Sequence, residues 1–372
     1  MKTPYGHLTY CSNIHPGEKW NDHFAALKEN LPYIKSQLAP DQPFGLGLRV
    51  ANEASLELSK PEVIAEFKNW LDQEGIYVFV INGFPYGGFH NTIVKDQVHQ
   101  PDWTTDERQE YTFRLFRILS FLLPEAMEGG VSTPPLSYRL WWENDTKMLF
   151  ATEKATAHML QVLDELFAIK RDTGKNLHLD IEPEPDGILD SISDFIDWYV
   201  NSLLPTGIPY LKAKYNLEES AAQEVILNHI RLCYDICHAA VGYENPKTIL
   251  KDLNKYGIRV GRLQISSALK VEFSNQPSAK LKAISAFDEP VYLHQVVAET
   301  FEGDLEHFPD LPKAIESYTK EHKEWRVHFH VPLFVDTYGM LESTQSDIIN
   351  TLALQKANPF TAFLEVETYT WG

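Results

Sequence analysis

The sequence is short of the features that mark several protein classes. Only 3 cysteines occur in 372 residues: Cys11, Cys233 and Cys237. A small, odd number in a long chain implies no disulfide framework. Cys233 and Cys237 lie four apart, with Asp235 between them and His238 after them. Metal ligation is one reading of that spacing; buried reduced thiols are the commoner outcome. No run approaches the roughly 18 uninterrupted apolar residues of a membrane span, and none is expected. The opening MKTPYGHLTY has neither the apolar centre nor the cleavage pattern of a signal peptide, so the expectation is a soluble, cytoplasmic protein. Basic residues are also scarce: 33 Lys and Arg stand against 52 Asp and Glu, a net charge of −19. That field repels phosphate backbones and anionic membranes, which argues against a nucleic-acid partner. Low-complexity segments, charged linkers and internal repeats are missing as well. Nothing divides the chain, and residues 1–372 read as one domain.

What is present is a large apolar inventory, 44% of the residues, with 20 Phe, 17 Tyr and 8 Trp. It is laid out as alternating strand-like and helix-like stretches. Strand patterns fall at 7–12, 44–50, 76–81, 130–136, 177–181, 231–236, 258–266, 326–334 and 363–370, with further strand character at 291–299. Several, such as IYVFVI, are nearly continuous in apolar residues, as strands covered on both faces are. Helical spacing fills the gaps at 17–38, 61–71, 104–123, 147–173, 246–256, 311–322 and 343–355. The stretch 187–228 predicts one or two helices broken near Pro205 and Pro209. Roughly eight β/α units make an α/β fold, a (β/α)8 TIM barrel with long βα loops. One strand candidate is left over, so an extra strand or hairpin is expected from 258–266 or 326–334.

A barrel gathers the C-terminal ends of its strands at one rim, where chemistry is placed. Here those ends are rich in ligand types. LHLDIEPEPDG carries Glu182 and Glu184, and Pro183 and Pro185 should stop ladder pairing beside Glu182. Asp235-Ile-Cys-His238 sets an acid and a histidine three apart where the sixth strand turns. Arg49, Asn52, Asn82 and His90 end the second and third strands. Gln264, His294, His328, His330, Glu365 and Glu367 end the later ones. A lone strand histidine is more often a satisfied core residue than a ligand; the joint placement is what singles these out. Carboxylates with imidazole suit a divalent ion such as Mn, Mg or Zn. Such an ion polarises a carbonyl oxygen, and a neighbouring Glu can take the proton from the adjacent carbon. The aromatic loop 84–89 is a candidate lid or sugar platform, with ordinary loop packing as the alternative.

The order of these motifs resembles the xylose isomerase-like TIM-barrel superfamily, which includes sugar-phosphate isomerases, ketose 3-epimerases and endonuclease-IV-type enzymes. In that group a metal-binding Glu ends the fifth strand, Asp-x-x-His the sixth, His the seventh and Glu the eighth. The resemblance implies Glu182, Asp235 and Glu367 as metal ligands. It also implies Glu182 and Glu367 as the catalytic acid/base pair, with His238 touching substrate. The seventh-strand position is open: it is Gln264 if 258–266 is the seventh strand, or His330 if HFHVPLF is. Arg49, Asn82, Glu184, His294, His328 and Glu365 are further candidates for substrate contact. More narrowly, HLTYCSNIHPGE, NGFPYGGFH, HFHVPLF and LEVETYTW resemble the E-type metabolite traffic proteins of the ebo gene cluster.

Three functions follow as expectations. The first is a metal-dependent isomerase or epimerase of a sugar-like substrate. The second is a barrel that binds a small polar metabolite for secondary-metabolite precursor traffic without turning it over. The third, an endonuclease-IV-like phosphodiesterase, is opposed by the net charge. Arg49, Arg139 and Lys270 are the basic residues that could hold a phosphate. Assembly into a homo-oligomer is left open.

Overall fold

Strands buried on both faces are what the continuous apolar runs become. The computed structural model describes residues 1–88 and 94–367. Its nine-stranded sheet consists of a two-residue antiparallel strand, Lys2–Thr3, and a ring of parallel staves. In chain order the staves are Gly6–Cys11, Phe44–Arg49, Ile76–Asn82, Gly129–Thr133, Leu177–Ile181, Ile230–Asp235, Val260–Ile265 and Phe363–Val366. The eighth stave pairs with the seventh and the first, and the first pairs with the second, which closes the ring. Every residue of the second, fifth and sixth staves is buried. Helices such as Trp20–Leu38, Pro61–Glu74, Asp106–Leu122 and Asp145–Thr173 connect the staves and cover the ring. The fold is an α/β barrel of the (β/α)8 type. Local signals behave as read: Pro61 opens its helix in the first turn, and Gly75 ends it with φ 64°.

Two local readings are corrected. Pro205 and Pro209 do not break their helix. Ile192–Trp198 runs through a π turn, Tyr199–Leu203, straight into Leu204–Tyr215. The wider π coil accommodates Pro205, whose ring and missing N–H would disrupt a regular α turn. The break falls instead at Asn216, left-handed at φ 54°. The short helix Asn52–Leu58 went unread, since seven residues are too few for a clear apolar stripe.

The extra strand belongs to a larger structure. Between the seventh and eighth staves the chain leaves the barrel and forms a six-stranded antiparallel sheet. In spatial order its strands are Leu305–Phe308, Val296–Thr300, His322–His330, Ala268–Glu272, Leu341–Ser343 and Thr337–Tyr338. It has its own apolar cluster, including Leu269, Val271, Trp325 and Val327. HFHVPLF is therefore not the seventh stave: its first residues end a strand antiparallel to Ala268–Glu272. The helix read at 311–322 stops at Glu316, and His322 already begins that strand. This second sheet is hydrogen-bonded to the barrel rim. Val331 N–H donates to the Ser267 carbonyl at 3.0 Å, and Val94 N–H donates to that of Val291 at 2.8 Å. Arg326 Nη1 donates to the Ala240 carbonyl at 2.7 Å.

Candidate functional site

The cavity at the rim begins with how the fifth and sixth staves end. Glu182 follows the last residue of LHLDI, and its N–H still bonds to the Thr133 carbonyl of the fourth stave at 3.0 Å. The backbone is thus held while Pro183 and Pro185 end the ladder. At the sixth stave Asp235 is the N-cap of Ile236–Val241. Its Oδ1 accepts from the His238 N–H at 3.2 Å and from Ser266 Oγ at 2.6 Å. This explains the Asp-x-x-His spacing: a capping carboxylate bonds the N–H three residues on, and that residue's side chain stands beside it. Asp235 Oδ2 is buried and accepts no hydrogen bond from the described residues.

The eighth stave brings Glu367. Asn13, just past the first stave, donates its Nδ2 to Glu367 Oε1 at 3.0 Å. The second sheet supplies the histidines. His330 Nδ1 lies 3.2 Å from Glu367 Oε2, and His328 Nε2 lies 3.1 Å from His238 Nε2. His328 Nδ1 is also 3.8 Å from Glu184 Oε1. Asp235, His238 and His330 each offer a ligand atom within 4.8 Å of the others, and so do Cys237, His328 and His330. Glu182, Glu184, Asp235 and Glu367 line one cavity of about 70 Å³ with His238, His328 and His330. Asn13, Asn82 and Lys95 complete its polar wall, and Phe84, Pro85, Val98, Tyr292 and Leu293 its remainder.

The electrostatics are those of acids crowded in a buried space. Burial, then the nearby Asp235 and Glu367, pushes Glu182 well above the usual carboxylate range. Burial and Asp235 do the same to Glu367. Glu184 is pushed up to about 8, again by burial first and Asp235 second. Burial lowers His330 to about 4 and takes His328 well below its ordinary value, with His238 adding to the latter. Lys95, the basic residue in the wall, is committed to Asp310 at 2.8 Å. Buried carboxyls this close disfavour one another's ionised forms, and a cation joining them would relieve that. The donor set, carboxylate oxygens with imidazole nitrogens, fits a divalent ion of the Mn or Zn type.

Other sequence candidates lie away from this cavity. Gln264 sits on the seventh stave as read, but its Oε1 accepts from Cys233 Sγ at 3.0 Å within the barrel, and it is not part of the cavity wall. His330 therefore reaches the carboxylates from the second sheet, and Gln264 does not take that position. Glu365 is turned into the barrel interior, where its Oε2 meets Arg262 Nη1 at 3.1 Å. Side chains alternate along a strand, yet only Glu367, beyond the last paired residue, faces the cavity. His294 does not line the cavity; its Nε2 lies 3.0 Å from Glu289 Oε1 and its Nδ1 3.3 Å from the His328 carbonyl. Arg49 pairs with Glu18 at 3.1 Å, Arg139 with Asp194 at 3.4 Å and Lys270 with Glu342 at 2.7 Å. None of the three lines the cavity, so they form no phosphate clamp there. Of the loop 84–89, Phe84 reaches the cavity wall; Phe89 and His90 lie outside the described residues.

Sequence reasoning passed over Ser266, Gln295 and Lys95. Ser266 was signalled by its place one residue past the seventh stave, at the rim. Gln295 and Lys95 had no signal, because their positions depend on how the second sheet docks.

No family model matches the chain, and no curated protein matches it significantly. Solved structures do resemble it. One is the IolI protein with a bound zinc atom, at 12% identity over 70% of this chain and 73% of that one, TM-score 0.40. Another is the probable 3-DHS dehydratase AsbF of petrobactin synthesis from Bacillus anthracis, at 11% over the same shares, TM-score 0.35. A xylose isomerase domain protein from Planctomyces limnophilus is 12% identical over 98% of this chain and 89% of its own, TM-score 0.47.

Proposed function

We propose that this chain is a divalent-metal-dependent enzyme of the isomerase or epimerase class, acting on a small sugar-like metabolite. The observation that carries this reading is the convergence of four buried carboxyls on one cavity, with Asp235 Oδ2 accepting no hydrogen bond among the described residues. Glu182, Asp235, Glu367 and His330 would hold the ion. Bound there, a divalent ion would supply Lewis acidity to a substrate carbonyl.

The chain's own residues would do the rest. Ser266 and the His238 N–H fix one oxygen of Asp235 and leave the other to face the cavity. Asn13 fixes one oxygen of Glu367 in the same way. Glu182 and Glu367 come from the fifth and eighth staves, so they approach a ligand from different sides of the rim. A base on one side and an acid on the other is what inversion or proton transfer next to a carbonyl requires. Buried surroundings that favour their protonated forms suit carboxyls that must both give and take a proton. Phe84, Tyr292 and Leu293 would exclude water.

A second reading is a binding barrel without turnover, the role implied by the resemblance to the E-type metabolite traffic proteins. Under either reading the cavity is tight: about 70 Å³ is far below the several hundred Å³ usual for a ligand pocket. A sugar would enter only with movement of the apolar wall.

The test is metal content of the purified chain, followed by solvent proton exchange at carbons next to the carbonyl, in D₂O, across a panel of ketoses. The enzyme reading expects bound divalent metal and exchange that falls by about 10²–10⁴-fold in Glu367→Gln. Metal without exchange leaves the binding role. A metal-free chain whose Glu182→Gln variant behaves like the parent would end both metal-based readings.

A further inference from the structure

A wide cleft beside the rim has no part in the chemistry proposed above. It holds about 680 Å³ and is lined by Tyr86, Trp141 and Trp142 together with Gln100, Thr104 and Glu107. That volume is ordinary for a ligand site. A hollow of about 290 Å³ links it to the carboxylate cavity. Pro85 and Val98 line both the cavity and the hollow. Tyr86 and Gln100 line both the hollow and the cleft. Pro85 and Val98 belong to the apolar wall that must move to admit a sugar. A molecule admitted past them extends through the hollow toward the cleft. Clefts of comparable volume beside Arg259 and beside Arg117 share no lining residue with the cavity or the hollow.

The rings of the cleft are held in place. Trp141 Nε1 donates to Asp96 Oδ2 at 2.7 Å, and Trp142 Nε1 donates to Ser137 Oγ at 3.0 Å. An indole has a single donor, so what each ring has left for the cleft is carbon surface. Tyr86 packs edge-on against Tyr111, with ring centres 5.0 Å apart. All three rings are half-buried, and Gln100 and Glu107 beside them are exposed. Aromatic surface next to amide and carboxylate matches a pyranose ring, whose C–H groups form an apolar face and whose hydroxyls form a polar edge. The negative face of an aromatic ring attracts such C–H groups. Among the described residues neither the cleft nor the hollow is lined by Lys or Arg, so nothing there neutralises a phosphate or a carboxylate. We propose that the cleft is a second sugar subsite: with the reacting unit in the carboxylate cavity, Tyr86, Trp141 and Trp142 hold a further, uncharged ring linked to it. The substrate class is then a neutral disaccharide or glycoside rather than a free or phosphorylated monosaccharide. The inference rests on the sugar-directed reading of the cavity, and its test separates the two.

The full chain, with manganese added, would be titrated calorimetrically with lactulose, isomaltulose and turanose, which each carry an uncharged pyranose ring on fructose. Fructose and fructose 6-phosphate are the references. At least one disaccharide should bind about 10-fold more tightly than fructose, the worth of one good aromatic contact. Trp141→Ala and Trp142→Ala should each reduce that gain to about twofold or less and leave fructose affinity within about twofold of the parent. A panel in which no disaccharide binds more tightly than fructose, or a gain that neither alanine change reduces, would overturn the proposal. So would fructose 6-phosphate binding more tightly than every disaccharide. Should both alanine variants fail to fold, Gln100→Cys labelled with a bulky maleimide decides. Gln100 is exposed and the 3 native cysteines are buried, so labelling is confined to the cleft. Loss of the disaccharide gain on labelling supports the subsite, and its survival overturns it. Proton exchange in D₂O is scored separately. Exchange on fructose with no disaccharide gain keeps the isomerase reading and overturns the subsite. A cleft-dependent gain without exchange supports the subsite and leaves the binding role.

Discussion

Arg262 shows how far a single side chain can organise the barrel beneath the site. It is fully buried on the seventh stave, with Nε 3.1 Å from Asp180 Oδ2 and Nη1 3.1 Å from Glu365 Oε2. Its Nη2 also donates to the Ile81 and Gly130 carbonyls at 3.1 and 2.8 Å. Burial works against the charge, but Glu365 and Asp180 outweigh it and push the guanidinium above its ordinary value. The other oxygen of Asp180 meets His178 Nδ1 at 2.5 Å. Space for these groups comes partly from Gly261, where a Cβ would run into the Asp180 carboxylate. Arg262→Met is expected to cost about 3–5 kcal/mol in urea unfolding, because it strands two buried carboxyls. Adding Asp180→Asn should recover part of that loss. A single variant within 1 kcal/mol of the parent, roughly the worth of an exposed pair, would show that the network does not hold the interior.

At the scale of elements, the helix Glu219–His229 docks on the fifth stave through its last residue. His229 Nδ1 bonds the Leu177 carbonyl at 2.6 Å, and burial lowers its pKa to about 4. Unfolded, the same imidazole titrates near 6.5. Between these values the unfolded chain binds the proton and the folded chain does not, so stability falls as the pH drops from about 6.5 to about 4. The contribution is at most about 3 kcal/mol. In His229→Asn, which keeps a donor, the stability difference between pH 7.5 and pH 4.5 should shrink by about 2 kcal/mol. An undiminished difference would assign the acid sensitivity elsewhere.

The same scale explains what was legible in the sequence. The staves could be read because burial on both faces writes itself as unbroken apolar runs such as IYVFVI and LHLDI. Their rim ends could be read because such patterns are local: EPEP stops a ladder, and Asp-x-x-His stands where the sixth strand turns. The second sheet was read only in part: the patterns at 291–299 and 326–334 fall on two of its strands, and its pairing was not foreseen. Most of its other strands are short, and Leu305–Phe308 is exposed along most of its length. Their partners are far apart in sequence, as when Ala268–Glu272 pairs with His322–His330. His328 and His330 were visible as an HxH alternation, one face of a strand. That this face would meet Asp235 and His238 depends on docking that no local pattern encodes. Glu365 misled for the opposite reason: its stave was clear, but the Arg262 partner that draws it inward was hidden in the apparently plain run VGRLQI.

For the whole molecule, the question is what couples the second sheet to the barrel. The direct ties are backbone and side-chain bonds at the rim, such as Val331 to Ser267, Arg326 to Ala240 and Gln295 to Pro185. The net charge of −19 is spread over the whole chain, and the acids of the rim add repulsion where the two parts meet. A cation held by Asp235 and His238 on one side and His330 on the other would reverse the sign of that local interaction. Any opening of the second sheet away from the rim would then have to break the ion's coordination. Ligand present at 100 times its dissociation constant stabilises the form that binds it by about 2.7 kcal/mol. Amide hydrogen exchange should therefore slow by up to about 100-fold in His322–His330 when zinc is added to the stripped chain. The staves far from the rim histidines, such as Phe44–Arg49, should change much less if they exchange through local opening. Equal slowing in both would mean that the metal stabilises the fold globally. No slowing in His322–His330 would mean that the sheet's histidines do not share an ion with the barrel.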